Sequence, residues 1–379
     1  MRRILRYGMV GGGQGAFIGE AHRRAINLDS EACLVAGCFS RSYANTMETG
    51  QSLGLDPSRC YESYEKMAAA EAEREDGIDF VSITSTNISH YEICRAFLLR
   101  DIHVACEKPL TVEVWQAEEL KKLAEERNLL FLVTYVYSGH VTARHAREII
   151  RNGEIGEIRT IMAEYPQGYL APEGNPAGKQ SEWRCDPKQA GKTNALGDIG
   201  THIENTVSAM TGLKIKRLLA KMDIVVPGRV LDDNDFVMVE YEGGATGMYW
   251  SSQVAIGHDN GLRVRIYGSK GSIRWFQENP EVITVYGEDG IGREIHRGYP
   301  QIAPNASKYS RLPSGHTEGY FEAMGNLYRS FFQCIHAAED GALTPELIAY
   351  PTIDDGIDGV RFIEACLRSN AQGNIWVEM

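Results

Sequence analysis

The first third of the chain alternates short, near-continuous apolar runs with longer amphipathic stretches. Apolar runs fall at 5–10, 32–39, 79–84, 102–106 and 129–134, and helix-like periodicity fills 90–99 and 112–127. A strand apolar on both faces belongs inside a parallel sheet covered by helices, since a face turned to water would impose alternation. Strand–helix alternation of this kind predicts an α/β domain with right-handed crossovers. The first run, Leu5 to Val10, leads at once into a glycine-rich turn and then a helix-like segment through Ala21, His22 and Ala25.

The rhythm changes near residue 137. A polar helix rich in Arg and His is expected over 142–152, ending at Gly153. Period-two alternation then recurs at 217–226, 235–241, 245–252, 262–268, 272–277 and 281–286. Turn chemistry separates these segments: Gly-Gly at 243–244, Gly-Ser-Lys-Gly at 268–271 and Glu-Asn-Pro at 278–280. This predicts a large, mostly antiparallel open sheet. Helices are expected at 318–338 and 354–369. The fold class expected is an α/β domain over 1–136 and an α+β domain over 137–379, with the tail 340–379 able to pack on the first domain. The Pro-, Gly- and polar-rich stretch 168–191 makes a loop of a length that usually serves function.

Composition narrows the classes. At about 150 residues per domain, 379 residues suit two or three domains. The formal net charge is 39 − 51 = −12, and this acidic field repels phosphate, which argues against nucleic-acid and anionic-membrane partners. No stretch approaches the roughly 20 apolar residues that span a bilayer. Arg2-Arg3 is not an export signal, because the apolar run behind it is short and ends in the glycine turn. The eight cysteines show no CxxC pair, so they read as free thiols in a reducing cytoplasm. No metal is expected: His140 and His145 do not share a helix face, and Asp232-Asp233-Asn234-Asp235 lacks the calcium-loop pattern and reads as a turn of solvated carboxylates. No GxSxG elbow supports a serine hydrolase.

The glycine turn carries the first candidate chemistry. Gly11-x-Gly13-x-x-Ala16 fits GxGxxA, with Gly15 and Gly19 competing for the third small position. Between a strand and a helix, such a turn lets backbone N–H groups approach a pyrophosphate. An NAD site usually offers a carboxylate to the ribose 2′-hydroxyl at the end of the second strand. Here that strand ends Phe39-Ser40-Arg41-Ser42, which favours a 2′-phosphate and hence NADP over NAD. The alternative for Arg41 is a solvated surface charge, or an adenine-stacking group with either coenzyme.

Several landmarks then follow in order: Asn87-Ile88-Ser89-His90, Cys106-Glu107-Lys108-Pro109-Leu110, Asn152-Gly153-Glu154-Ile155-Gly156, Leu196-Gly197-Asp198-Ile199-Gly200-Thr201-His202 and Ile266-Tyr267-Gly268-Ser269-Lys270-Gly271. With the glycine turn, they resemble the glucose–fructose oxidoreductase / inositol dehydrogenase / rhizopine catabolism (Gfo/Idh/MocA) family over nearly the whole chain. The region from Tyr165 through Trp183-Arg184 to Asp198 looks most like pyranose-oxidising members, the levoglucosan dehydrogenases among them. The resemblance implies a Rossmann domain joined to an open-sheet domain, and a nicotinamide-dependent oxidoreductase for secondary alcohols of sugars or polyols. It implies cofactor contacts at Gly11, Gly13, Gln14, Ala16, Phe17, Ser40, Arg41, Thr84, Asn87, His90, Glu107 and Lys108. It implies catalysis by Lys108, His202 and Asp198, and substrate contacts from Gln167, Trp183, Arg184, Asn194, Asp198 and His202. The chain departs from the family at Ser85-Thr86, where Thr-Pro is usual, and at Val136-Tyr137-Ser138, where Asn-x-Arg is usual. It also departs in the longer phosphate loop with Gly15-Ala16, and at Asn205, which fills the Asp-or-Asn position three residues after the histidine.

The chemistry agrees with those roles. Imidazole titrates near neutrality, so His202 suits a general base. Lys108 follows a strand's carboxyl end, and its cation can favour an alkoxide. Asp198 lies one helical turn before His202 and can orient it or bind a neighbouring hydroxyl. Each also has a structural reading: a surface lysine, a packed histidine, a helix N-cap at Asp198, a buried structural His90, and loop packing for Gln167, Trp183, Arg184 and Asn194. Glu107 suits cofactor ribose better than catalysis, and Gly315-His316 is a further loop within possible reach of the chemistry. The leading function is thus an NAD(P)-dependent sugar or polyol dehydrogenase. The alternatives are redox-neutral glycoside cleavage with tightly held NAD, and a non-catalytic dinucleotide-binding regulator. Apolar positions such as Val237, Val239, Tyr241, Met248 and Trp250 exceed what a few helices can cover, which predicts a homodimer or homotetramer packed through the sheet.

Overall fold

The computed structural model describes residues 2–173 and 183–379, so part of the 168–191 loop lies outside the described residues. The chain divides into two compact units, Met1–Thr134 with Met324–Ile357, and Tyr135–Ala323 with Asp358–Met379. The tail is therefore shared: residues 340–357 belong to the first unit and 358–379 to the second.

In the first unit, β1 (Leu5–Gly11), β2 (Ala32–Cys38), β3 (Phe80–Thr84), β4 (His103–Cys106) and β5 (Phe131–Val133) form a parallel sheet in the order β2-β1-β3-β4-β5. All five residues of β3 are buried, as a central strand covered on both faces requires. The helices are α1 (Phe17–Asn27), α2 (Tyr43–Ser52), α3 (Tyr64–Ala72), α4 (His90–Leu98) and α5 (Val114–Glu126). Helices α2 and α3 lack a strong apolar stripe and escape periodicity. Their signal is the cap: Ser42 and Ser63 accept N–H bonds from Asn45 and Lys66. The helix Tyr320–Glu339 returns Tyr328, Phe331 and Phe332 to this unit, where the last two rings lie 5.6 and 5.4 Å from Phe80.

The second unit is built on nine strands: β6 (Ile158–Pro166), β7 (Ile215–Asp223), β8 (Asn234–Tyr241), β9 (Thr246–Ser252), β10 (Arg263–Gly268), β11 (Gly271–Phe276), β12 (Val282–Gly287), β13 (Gly292–His296) and β14 (Val377–Glu378). Their order is β13-β12-β11-β10-β6-β9-β8-β7-β14, antiparallel throughout except for the β6–β9 pair. Strand β6 is absent from the sequence expectation although it is central. Helices α6 (Val141–Arg151) and α7 (Thr201–Thr211) belong to this unit. The register corrects the expected exposed set. Val237, Val239 and Tyr241 are buried at 1–2% exposure, whereas Phe236, Met238 and Met248 are 42, 50 and 39% exposed. Phe236 pairs with Trp250 and Met238 with Met248, so the open face carries the even-numbered positions of β8.

A second correction concerns the acidic segment. Asp232, Asp233 and Asp235 are not solvated; they are 5, 0 and 0% exposed. Asp233 is satisfied by N–H groups of Val225 and Val226, at 2.8 and 3.0 Å. Among the described residues, no helix is long and apolar enough to cross a membrane.

Candidate active site

Ligands of open α/β sheets bind outside the strands' carboxyl ends, where strand order reverses. In the first unit that point lies between β1 and β3, and Gly11 pairs with Thr84 there. The turn is packed backbone on backbone. A Cβ on Gly19 would lie 2.2 Å from Gly12 Cα, so the close helix–strand contact belongs to Gly12 and Gly19. Ala16 instead precedes α1 as its N-cap and offers no side-chain bond to the first turn. The amides at the start of α1 thus present donors and the positive end of a helix dipole, which suits a pyrophosphate. The side chains of Gln14 and Phe17 are exposed beside this turn. At the end of β2, Ser40 Oγ accepts the Ser42 N–H at 3.1 Å and keeps its own proton to donate. Arg41 is exposed.

Beyond β3 and β4, two buried histidines organise the backbone. His90 is fully buried, with Nδ1 3.0 Å from Pro109 O and Nε2 3.2 Å from Ser85 O. It therefore ties the loop after β3, with Thr84 and Asn87, to the Lys108-Pro109 turn, and burial lowers its pKa. Its ring supports these loops from inside the unit. Glu107 is held by His22 Nε2 at 2.9 Å and Thr134 Oγ1 at 2.5 Å. His22 Nδ1 meets Tyr328 Oη at 2.6 Å, and Tyr328 Oη meets Ser82 Oγ at 3.0 Å. One proton order that satisfies the chain has Ser82 donating to Tyr328, Tyr328 to His22, and His22 to Glu107. Burial pushes the Glu107 carboxyl upward, but His22, Lys108 and Thr134 outweigh it and hold it at about 2.

In the second unit, a π-type turn Leu196–Gly200 carries Asp198 and runs directly into α7 with His202. Asp198 is paired with Arg184 at 3.0 Å and accepts from Gln253 Nε2 at 2.8 Å. Burial disfavours the Arg184 charge, but the Asp198 carboxylate prevails and raises its pKa. Gln253 Nε2 and Arg184 Nη1 also reach Tyr169 Oη, at 3.2 and 3.4 Å. The His202 ring stands among Tyr137, Tyr135 and Tyr165, with centroids 4.7, 5.8 and 6.2 Å away. Asn260 joins this group: its Oδ1 accepts from Tyr165 and from Gln167 Nε2 at 3.0 Å, and its Nδ2 donates to Tyr137 at 3.2 Å.

The structure thus brings Gln167, Arg184, Asp198 and His202 into bonded or ring-packed groups, with Asn194 at the start of the Asp198 turn. Trp183 lies against Arg184, its ring 5.3 Å from the guanidinium carbon. His316 does not join them; it sits on an exposed loop, where its carbonyl accepts from Arg297. Sequence reasoning missed Tyr169, Gln253 and Asn260, and gave Tyr137 and Tyr165 no role of their own. The usable signal was a cluster of polar and Tyr residues at the ends of β6 and β9. Among the described residues, no donor reaches the buried acceptors Gln167 Oε1, Asn194 Oδ1 and Gln253 Oε1. Such atoms call for hydroxyl donors.

Two family models match in tandem: "Oxidoreductase family, NAD-binding Rossmann fold" over 5–135 and "GFO/IDH/MocA C-terminal domain" over 143–274. The chain belongs to the Gfo/Idh/MocA family. It is therefore an oxidoreductase with an NAD-binding Rossmann domain. It is 40% identical to the uncharacterized oxidoreductase YfiI of Bacillus subtilis, over 99% of this chain and 96% of that protein. The crystal structure of an inositol dehydrogenase homolog from Azotobacter vinelandii complexed with NAD+ matches with TM-score 0.96 and 38% identity, covering 100% of this chain and 98% of that one. The same homolog complexed with NADH and myo-inositol matches with TM-score 0.94, 37% identity and the same coverage. Levoglucosan dehydrogenase in complex with NADH and levoglucosan shares the fold, with TM-score 0.84 at 23% identity over 100 and 99% of the two chains.

In this Gfo/Idh/MocA chain the Glu107 pair predicts a pH-dependent stability. The folded state keeps Glu107 ionised down to about 2 where its ordinary value is 4.5. Folded protein then binds fewer protons than unfolded chain in that window, so stability falls as pH drops through it. Glu107→Gln is expected to cost about 2 kcal/mol at neutral pH, and the deficit shrinks as pH falls from about 4.5 towards 2. Urea unfolding of both proteins across that range checks this; a deficit that is constant with pH would refute the assignment.

Proposed function

We propose that this protein is an NAD(P)-dependent dehydrogenase acting on a secondary hydroxyl of an uncharged sugar, glycoside or polyol. The observation that carries the reading is the His202 neighbourhood. Arg184 is paired with Asp198, and the described polar groups beside them include the Tyr169, Tyr137 and Tyr165 phenols and the Gln167, Gln253 and Asn260 amides, with Gln167 Oε1, Asn194 Oδ1 and Gln253 Oε1 buried and taking no donor among the described residues. A site so built favours several hydroxyl groups over an anion. Myo-inositol and levoglucosan, present in the complexes of two similar proteins, are neutral polyhydroxyl compounds.

A nicotinamide cofactor bound there would supply the hydride acceptor or donor. Gly11, Gly12, Gly13 and the first turn of α1 would hold its pyrophosphate, with Thr84, Asn87 and Glu107 at the adjoining strand ends. His202 takes the hydroxyl proton, Lys108 stabilises the oxygen as it gains negative charge, and Asp198 binds a neighbouring hydroxyl. Turnover of myo-inositol, levoglucosan and related neutral polyols, followed by nicotinamide absorbance, tests the reading. His202→Ala and Lys108→Ala are each expected to lower kcat by about 10²–10⁴-fold. Wild-type turnover in either variant would remove that residue from the chemistry. Retained cofactor with glycoside cleavage and no net absorbance change would favour the redox-neutral alternative.

Ser40 and Arg41 support a preference for NADP(H). Arg41→Ala is expected to weaken NADPH binding by about 10-fold and NADH binding by less than about 2-fold, by fluorescence titration. Tighter wild-type binding of NADH, the coenzyme of the two similar complexes, would overturn this preference and leave the dehydrogenase reading in place.

The outer sheet face supports a homodimer or homotetramer. Phe236 and Trp250 stack there at 6.3 Å beside exposed Met238 and Met248. Light scattering at micromolar concentration is expected to give a multiple of the chain mass, and a monomer would sink this assignment.

A further inference from the structure

Three consecutive amides at the entrance to the Asp198 turn end on one residue. Asn194 and Leu196 donate to the two carboxylate oxygens of Asp232 at 2.8 and 2.7 Å, and Ala195 donates to its main-chain carbonyl at 3.2 Å. The π-type turn that follows has no side-chain cap, so these amides depend on Asp232. At the other end of the turn, a Cβ on Gly200 would lie 3.2 Å from Ser251 Oγ on β9. Strands β8 and β9 and the residues just before them therefore grip both ends of the segment that leads to His202.

Behind Asp232 stands a second carboxyl group. Asp235 is fully buried and adjoins the Asp232 side chain. Its Oδ2 accepts from Ser251 Oγ at 3.1 Å, while its Oδ1 has no donor. Among the described residues, Asp233 and the Cys366 thiol on the helix Ile353–Ala371 are titratable groups that face the pair. Both are acids, so neither brings a countercharge. Asp233 already takes two amides of its own. Two buried carboxyl groups in contact, with each oxygen of Asp232 holding one amide and keeping a lone pair for a further donor, do not both ionise. Burial pushes Asp235 well above the ordinary carboxylate range, and the Asp232 charge adds to this.

We propose that Asp232 and Asp235 share one proton, carried by Asp235 and donated to Asp232, and that this pair positions the 194–202 segment for catalysis. The positioning role rests on the reading of Asp198 and His202 given above; the shared proton does not. The two aspartates touch neither substrate nor cofactor in this scheme. They set where the turn lies, through the amides of Asn194 and Leu196.

The test combines a spectrum, an exchange measurement and kinetics on the full-length protein. Infrared difference spectroscopy at neutral pH is expected to show the C=O stretch of a buried protonated carboxyl group, lost in Asp235→Asn. Asp235→Ala is expected to lower kcat about 10-fold with the cofactor dissociation constant unchanged, and Asp235→Asn to restore it to within about 3-fold, because an amide N–H replaces the acid O–H. Asp232→Asn keeps an acceptor for one of the Asn194 and Leu196 amides and turns an NH2 donor towards the other; it is expected to lower kcat about 10²-fold and to raise hydrogen exchange across 194–202. Absence of the carboxyl band, or an Asp235→Asn variant as impaired as Asp235→Ala, would overturn the proposal. If Asp232→Asn does not fold, the band and the Asp235 pair of variants still decide. The band and the exchange pattern need no turnover, so they stand or fall separately from the dehydrogenase assignment.

Discussion

A carboxylate removed from water survives only where donors saturate it, and both units build their candidate chemistry on such a group. In the first unit Glu107 is held by His22 and Thr134, with Tyr328 and Ser82 completing the chain of protons. In the second, Asp232 collects the amides that open the Asp198 turn. The two solutions differ in kind. Glu107 is kept ionised by a partner histidine and the adjacent lysine, whereas Asp232 relies on the backbone. Each binds its segment rigidly, because losing a single donor would strand a buried charge.

The sheets serve these segments in different ways. The parallel sheet of the first unit ends its strands at one edge, so β1, β3 and β4 deliver Gly11, Thr84 and Glu107 to a common level. The nine-stranded sheet delivers side chains through its single parallel pair, β6 with β9. Those strands end side by side at Pro166 and Ser252, so Gln167 and Gln253 emerge together. Each then feeds a different bonded group, Gln167 reaching Asn260 and Gln253 reaching Asp198. The ion pair of Arg184 with Asp198 has a chemical consequence of its own. A guanidinium spent on an internal carboxylate is not offered to an anionic ligand, and this agrees with the neutral polyhydroxyl substrate proposed above.

Much of this was legible in the chain. The glycine turn, the Glu107-Lys108-Pro109 strand end and the Asp198–His202 spacing are local patterns, because each depends on a strand or helix terminus that neighbouring residues specify. The even and odd positions of β8 were legible only as alternation. Which set faced the helices was a question of register, and Val237 and Val239 lie on the side opposite to Phe236 and Met238. The acidic segment misled most. A run of Asp232, Asp233 and Asp235 reads as a solvated turn because isolated carboxylates avoid burial, and nothing local announces the amides of Val225, Asn194 and Leu196 that bury them.

The sequence by itself determined the strand–helix alternation of the first unit, the mostly antiparallel character of the second unit's sheet, the glycine turn and the identity of the lysine, aspartate and histidine candidates, since periodicity and terminus chemistry act within a few residues. Tertiary structure alone decided the partners. Tyr328 reaches His22 across 306 positions, and Asn260 reaches Tyr137 across 123. The proton state of a buried carboxyl group and the orientation of the His202 ring are set by atoms that meet only when distant strands and helices close on one another. No pattern of neighbours along the chain encodes that meeting.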